Sequence, residues 1–337
     1  MRGTAANNPH YKGAGEIVGE EEDRLPKICM DYKFLGDTDE KGEPINANEN
    51  PVLVIWDDKS KACMAFAVEH KGRDEWAARR ITQFTEMLGY KKIILKSDKE
   101  KSIGALADMV KALRTGDTIP EMSPAGEHQS NGAVERCVRT LGGQFRTLRD
   151  AIETKIKAKI EAKNPLLQWL IVASGDMVTR YNIGEDGRTP YERIKGRRCT
   201  KAIAAMGEQV HYRPVRYGER AKKGEVRWSA GIWPGVENKT GETLIGTAEG
   251  VVRAFAVRRM KDEDKWNKDM IDNIKGTPRR PVPGSLDSEV PIAIRHSAES
   301  DVPARDLQTE IGRPIGRRVY INKGILKKFG YTLNCGL

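Results

Sequence analysis

Long apolar runs are missing from this sequence. The longest uncharged ones, residues 52–56 and 62–68, are strand-sized, whereas a bilayer-spanning helix needs roughly 20 apolar residues. The opening residues also lack a basic stretch leading into an apolar one, so the sequence predicts neither a membrane span nor secretion. Cysteine is sparse. Cys29, Cys63, Cys137, Cys199 and Cys335 are scattered, odd in number and without any Cys-x-x-Cys spacing, which excludes a disulfide scaffold and a paired-cysteine zinc finger. No internal repeat is visible either.

Charge, by contrast, is abundant. Charged residues make up 31% and apolar ones 38% of the 337 positions, enough for a sizeable core and, at about 150 residues each, two domains. Fifty-eight Lys and Arg against 48 Asp and Glu leave a net charge of +10. That balance favours polyanionic partners, nucleic acid first and an anionic membrane surface second.

Residues 1–26 read as a disordered lead-in, with Asn7-Asn8-Pro9, several glycines and the acidic run Glu20-Glu21-Glu22-Asp23. Residues 27–35 predict a strand. Residues 51–56 and 62–68 predict a hairpin around the polar Asp57-Asp58-Lys59-Ser60-Lys61. Residues 74–88, apolar at Trp76, Ala77, Ile81, Phe84 and Leu88 and closed by Gly89, predict an amphipathic helix. A strand at 93–95, a helix at 103–113, a short strand before Ser123-Pro124 and a long helix from about 131 toward 163 follow. Hairpin and crossover connections together imply an α/β layer fold with a mixed sheet. A further helix is predicted at 166–181, then a turn at Gly187-Arg188-Thr189-Pro190. Beyond Ala204, short alternating runs punctuated by Gly and Pro predict a small β-barrel over 205–262. Residues 263–337, rich in Pro, Gly and charge, read as a linker or part of a downstream region.

Three carboxylates stand where local structure does not ask for them. Asp31 interrupts an apolar strand, in which Asp is depleted. Asp98 follows Ile93-Ile94-Leu95-Lys96-Ser97, at the strand end from which α/β sheets present functional groups. Glu135 lies early on the long helix between Val134 and Val138. Each also has an ordinary role available: Asp31 could end its strand in solvent, and Ser97-x-x-Glu100 could be a capping box with Asp98 in the first turn. Glu135 could pair with Arg139 one turn on.

The combination decides between these roles. His128-Gln129-Ser130-Asn131-Gly132-Ala133-Val134-Glu135-Arg136 strongly resembles the HQSNG-x-VER signature of integrase catalytic cores from retroviruses and retrotransposons. The 36 residues between Asp98 and Glu135 come close to that family's fixed spacing, and Met30-Asp31-Tyr32 and Leu95-Lys96-Ser97-Asp98 resemble its first two acidic blocks. The likeness extends over about residues 27–200, including Gly187-Arg188-Thr189-Pro190-Tyr191-Glu192. Residues 207–260 resemble the segment that follows the core in Copia-type elements, through Trp228, Gly231-Ile232-Trp233, Ile245-Gly246-Thr247 and Arg258-Arg259. The sequence departs from many relatives at Lys99, and with only His10 and Cys29 upstream of Asp31 the family's N-terminal zinc module is missing.

The resemblance implies an RNase H-like core, a mixed five-stranded sheet with flanking helices, followed by a small SH3-like barrel that binds DNA. It implies that Asp31, Asp98 and Glu135 are catalytic and hold two Mg²⁺ or Mn²⁺ ions, Asp31 bridging both. The implied activity is 3′-end processing and strand transfer of element DNA into target DNA, by a homo-oligomer in the nucleus or in a cytoplasmic particle before nuclear entry. No protein nucleophile is needed. Lys96, Arg136 and Arg139 are expected at phosphates, Gln129, Ser130 and Asn131 near the DNA end, and Arg258 and Arg259 on the barrel. Residues 191–228 carry eleven Lys and Arg against four Asp and Glu, a run that suits DNA or plain solvation. Two rivals are an inactive or domesticated DNA-binding remnant and an RNase H-type nuclease, which would lack the signature block and the basic barrel.

Overall fold

A computed structural model of the protein describes residues 24–35, 50–123, 132–200, 204–216 and 226–295. Five strands, β1 (Lys27–Lys33), β2 (Val52–Asp57), β3 (Cys63–Ala67), β4 (Lys92–Ser97) and β5 (Asp117–Met122), make the first sheet in the order β3-β2-β1-β4-β5. β1, β2 and β3 pair antiparallel, β2 and β3 through a short turn, while β4 and β5 run parallel to β1 because helices return the chain. Those helices are α1 (Glu75–Met87) and α2 (Lys101–Leu113). This is the mixed five-stranded sheet with flanking helices that the order of predicted elements implies.

Alternation along the strands splits the apolar residues between two faces. Ile28, Met30, Leu53, Ile55, Phe66, Ile93 and Leu95 pack against α1 and α2. Cys29, Val52, Val54, Cys63 and Ala65 face α3 (Gly132–Ile156) and α4 (Leu166–Tyr181). A Cβ on Gly175 would lie 3.0 Å from the Ala65 amide nitrogen, so glycine there lets α4 lie close on β3. Along α3 the buried positions Val134, Cys137, Val138, Leu141 and Phe145 keep helical spacing. The helix stops at Ile156, short of the expected 163. Glu153 accepts from the Ile160 amide at 3.1 Å and pairs with Arg149 and Lys159, which turns the chain back and buries Ile160. Lys157 takes a left-handed φ of 54° at that corner.

The Gly187-Arg188-Thr189-Pro190 turn starts a six-residue helix, α5 (Pro190–Lys195), through a capping box in which the Thr189 hydroxyl accepts from the Glu192 amide and the Glu192 carboxylate accepts from the Thr189 amide. A second sheet then forms from β6 (Gln209–Arg213), β8 (Ser229–Ile232), β9 (Thr243–Gly246), β10 (Val251–Ala254) and β11 (Ala256–Arg259), in the order β10-β9-β8-β6-β11. β10 and β11 occupy opposite edges yet only Phe255 separates them in sequence. One residue spans about 3.4 Å, so the sheet curls until its edges meet at that corner. A parallel pair, β7 (Val215–Arg216) and β12 (Ile294–Arg295), lies beside it.

The expected linker is not a linker over its described part. Residues 262–295 carry the short helix α6 (Lys268–Asp272), bury Ile271 and Ile274, and hydrogen-bond to α4 through Trp169 Nε1 to the Gly276 carbonyl at 2.9 Å. Arg279 crosses to the first sheet's helices, 2.5 Å from Asp74 and over the Trp76 ring. Nor do the two sheets bury separate interiors. The cluster on the α3 and α4 face continues through Ile152, Met206, Val210, Ile232, Leu244, Ile245 and Ile274, and all described residues fall in one compact unit. The predicted lead-in up to residue 23 and residues 296–337 lie outside the described residues. No helix among the described residues is long and apolar enough to cross a membrane.

Ile274 tests the integration of this segment. A Cβ on Gly246 would fall 2.2 Å from the Ile274 side chain, so the isoleucine fills a slot over β9. Ile274→Ala is expected to cost about 2–4 kcal/mol, read as a clear drop in Tm of a single unfolding transition. A linker residue would leave Tm unchanged.

A candidate carboxylate site at the end of the central strands

Register brings two of the three acids together. Met30 on β1 pairs with Ser97 on the parallel β4, so the next residue on each strand is Asp31 and Asp98, at neighbouring strands about 4.8 Å apart. Asp31 lies opposite Val54 on the face covered by α3. Asp98 is exposed just past β4, and Glu135 is exposed in the first turn of α3 beside the buried Val134. Burial pushes the Asp31 carboxyl up to about 6, and the negative charges of Asp98 and Glu135 push the same way, against a hydrogen bond from the Tyr32 backbone. The three acids therefore share one electrostatic neighbourhood.

The ordinary roles are not taken up. α2 begins at Lys101 with Glu100 at its cap and no side-chain capping bond, so Asp98 is not a first-turn acid; its carboxylate accepts from the Lys99 amide at 2.9 Å. Among the described residues, none of Asp31, Asp98 and Glu135 has an ion-pair partner, and Glu135 does not reach Arg139. Nor do the described residues close three or more His, Cys, Asp or Glu side chains around a common metal position. The donors are hard, anionic and mutually repelling, which fits a divalent cation such as Mg²⁺ in kind.

The expected phosphate contacts divide. Lys96 is only 7% exposed, and its Nζ sits 3.3 Å from Glu121, which Lys27 also reaches at 3.3 Å. It therefore serves as internal charge one pleat below Asp98 rather than as a surface contact. Arg136 and Arg139 are exposed on α3, with Arg136 Nε donating to the Gly132 carbonyl at 3.4 Å. Arg258 is exposed, its guanidinium 4.5 Å from the Trp228 ring centre. Arg259 is committed elsewhere, to a fork of two 2.7 Å hydrogen bonds with the fully buried Glu208. Gln129, Ser130 and Asn131 lie outside the described residues.

Two features have no local signal in the sequence. The Cys63 and Cys137 sulfurs approach to 3.1 Å between β3 and α3; the hydrogen bond with Cys137 and burial hold the Cys63 thiol well above its usual range, and both residues are buried in the core. Lys71 stands 5.8 Å over both the Tyr32 and Phe34 rings and 3.3 Å from Glu100. Only the fold brings these partners together. Asp57, by contrast, does what hairpin chemistry requires, accepting from the Lys59 and Ser60 amides and from the Tyr90 hydroxyl.

Strand order and site together define a mixed α/β sheet layered between helices, with one acid within its central strand and another just past the end of the neighbouring one. No family model and no curated protein matches the chain. Among solved structures, the catalytic core domain of BIV integrase is similar at 16% identity and a TM-score of 0.33, over 50% of this chain and 92% of that one. The simian T-cell lymphotropic virus intasome, solved with the PP2A regulatory subunit B56 gamma, is similar at 12% identity and a TM-score of 0.39, over 70% and 80%. Scores this low leave the fold to rest on the strand order itself.

The raised Asp31 carboxyl carries a pH signature. Its folded-state value near 6 exceeds the ordinary 3.8, so the folded chain holds that proton more tightly, and stability falls as pH rises through the interval between the two. In chelator-containing buffer, Asp31→Asn is expected to raise stability by on the order of 1–3 kcal/mol at about pH 8 and to lose most of that gain at about pH 4. A parent–variant Tm difference independent of pH would remove Asp31 from this charge cluster.

Proposed function

We propose that this chain is an integrase of the Copia type, an RNase H-like polynucleotidyl transferase that processes and joins element DNA ends to target DNA. The observation that carries the reading is the β1–β4 register: it sets Asp31 beside Asp98 while α3 presents Glu135 within electrostatic reach. The signature block around residues 128–136 supports it independently. In this reading the second sheet is an SH3-like barrel for DNA, consistent with the strand order β10-β9-β8-β6-β11. The working form is a homo-oligomer in the nucleus, because two ends must be joined in concert.

Asp31, Asp98 and Glu135 would hold two Mg²⁺ or Mn²⁺ ions, their charges supplying what such ions require. Bound there, the ions lower the pKa of an attacking water or 3′-hydroxyl and take up charge on the departing oxygen. The chain's own residues do the remaining work. Asp31, on the central strand and paired with Val54 of β2 one residue past the last β1–β4 pair, is the rigid reference point. Glu135 comes from a separate element, held in place by the buried Val134 beside it. Arg136 and Arg139, exposed on that same helix, lie where phosphate charge must be neutralised. Lys96, pinned by Glu121, adds a fixed positive potential beneath the acids.

A second reading, a DNA-binding remnant without catalysis, draws on the absence of a closed ligand cluster among the described residues. A strand-transfer assay on labelled duplexes carrying candidate ends separates the two. With Mg²⁺ or Mn²⁺ the parent is expected to give joined products, and Asp98→Asn or Glu135→Gln to lose about 10³-fold or more in rate, as removal of several kcal/mol of charge stabilisation implies. Mg²⁺ should also raise the parent's Tm and not that of Asp98→Asn. Cleavage without joining points to a nuclease, and DNA binding with neither points to the remnant.

A further inference from the structure

At the corner between β10 and β11 the chain holds a large aromatic ring in water. Phe255 is 89% exposed, although a phenylalanine normally buries most of its surface. It is not alone. Arg253 bridges to Ile292 in parallel register, and two residues further along each strand are Phe255 and Ile294. Ile294 in turn pairs with Val215 on β7. Phe255, Ile294 and Val215 thus form a row across three chain segments, and Ile292 and Val226 beside it are also exposed. Ala293, between the two isoleucines, is buried, so the strip shows solvent its apolar side by construction.

The border of the strip is cationic. Arg213 lies opposite Ala256, the residue after Phe255, is exposed, and has no ion-pair partner among the described residues. Arg258, two positions further on β11, lies flat over Trp228. Arg295 donates to the Val226 carbonyl and, at 2.9 Å, to the Ser229 hydroxyl, which fixes its charge at the edge of the strip. The nearby Arg253 is already neutralised by Glu242 at 3.0 Å. A protein face would match the apolar strip and could pair acidic groups with such a border, but it makes no particular use of an isolated flat ring. A duplex offers phosphates to the cations, but its bases are stacked on one another and closed to the ring. A single strand offers both, a phosphate backbone for Arg213, Arg258 and Arg295 and free base faces for Phe255.

We propose that Phe255, with the Ile294–Val215 strip and the flanking arginines, is a stacking site for unpaired nucleobases of single-stranded DNA. The assignment of DNA rests on the integrase reading, while the stacking itself requires nucleic-acid binding and no catalysis. Phe255 touches none of Asp31, Asp98 or Glu135, and its exposure makes it a position where substitution leaves the fold intact.

The test is fluorescence anisotropy with the full chain, using an oligothymidylate, an oligouridylate of the same length and a duplex as probes. Phe255→Ala is expected to weaken oligothymidylate binding about 5- to 100-fold, the range found for loss of one base–aromatic stack, and to change duplex binding less than about twofold. Phe255→Tyr should restore binding, and Phe255→Leu should not, since leucine keeps apolar surface without a π-face. Equal loss on single strand and duplex, or full rescue by leucine, overturns the proposal. So does binding confined to the ribo-oligomer, or self-association of the parent that Phe255→Ala abolishes. A parent that binds no nucleic acid of any kind would instead sink the functional reading above.

Discussion

Both sheets lean on one helix. The buried side of α3 runs from Val134 near the acids to Ile152 under the second sheet, a length at 1.5 Å per residue of about 27 Å. Apolar burial along that side couples regions that local sequence would treat as separate domains. Glu135 stands at the start of the same helix. The position of a candidate catalytic acid is therefore set by packing that extends to Met206, Val210 and Ile232, and changes in the second sheet reach the site through a rigid element rather than through a flexible tether.

The electrostatics of the site are costly to the fold. Asp31 is partly buried, raised toward 6 and repelled by Asp98 and Glu135, with no ion pair among the described residues to offset it. A chain selected for stability alone would put a neutral side chain there. Buried acids that serve the fold look different here. Glu153 gathers Arg149, Lys159 and the Ile160 amide, Glu208 gathers Arg259 and the Ala205 amide, and both have carboxyls held below the usual range. The contrast separates acids that finish a local structure from acids kept without partners.

Much of the first sheet was legible because its signals are local. The hairpin at 57–61, Gly89 after α1 and the apolar stripe of α4 each follow from residues a few positions apart. The two acids at the strand ends were legible through strand boundaries and spacing. What escaped depends on contacts between distant residues. Nothing near Lys157 marks the end of α3; Glu153 and Ile160 do so together. Residues 262–295 look like a linker because Ile271 and Ile274 are isolated apolar residues among Pro, Gly and charge, and only the slot above Gly246 makes them core. The partner of Arg259 was equally hidden, since Glu208 lies 51 residues upstream. The pairing of Lys96 was likewise not legible, since its partner Glu121 lies on the neighbouring strand.

The Arg279 clamp sets an order on synthesis. Asp74 caps α1 through the Ala77 amide and waits for a guanidinium 205 residues downstream. On a ribosome adding about 5–20 residues per second, the first sheet and α1 emerge many seconds before Arg279 does. During that interval Trp76 lacks its cation and the slot over Gly246 is empty. The nascent chain thus passes through a stage in which the central sheet is paired but its last brace has not been made. Such long-range closure slows folding, and it makes Ile274 and Arg279 the residues that lock β9 and α1 in place.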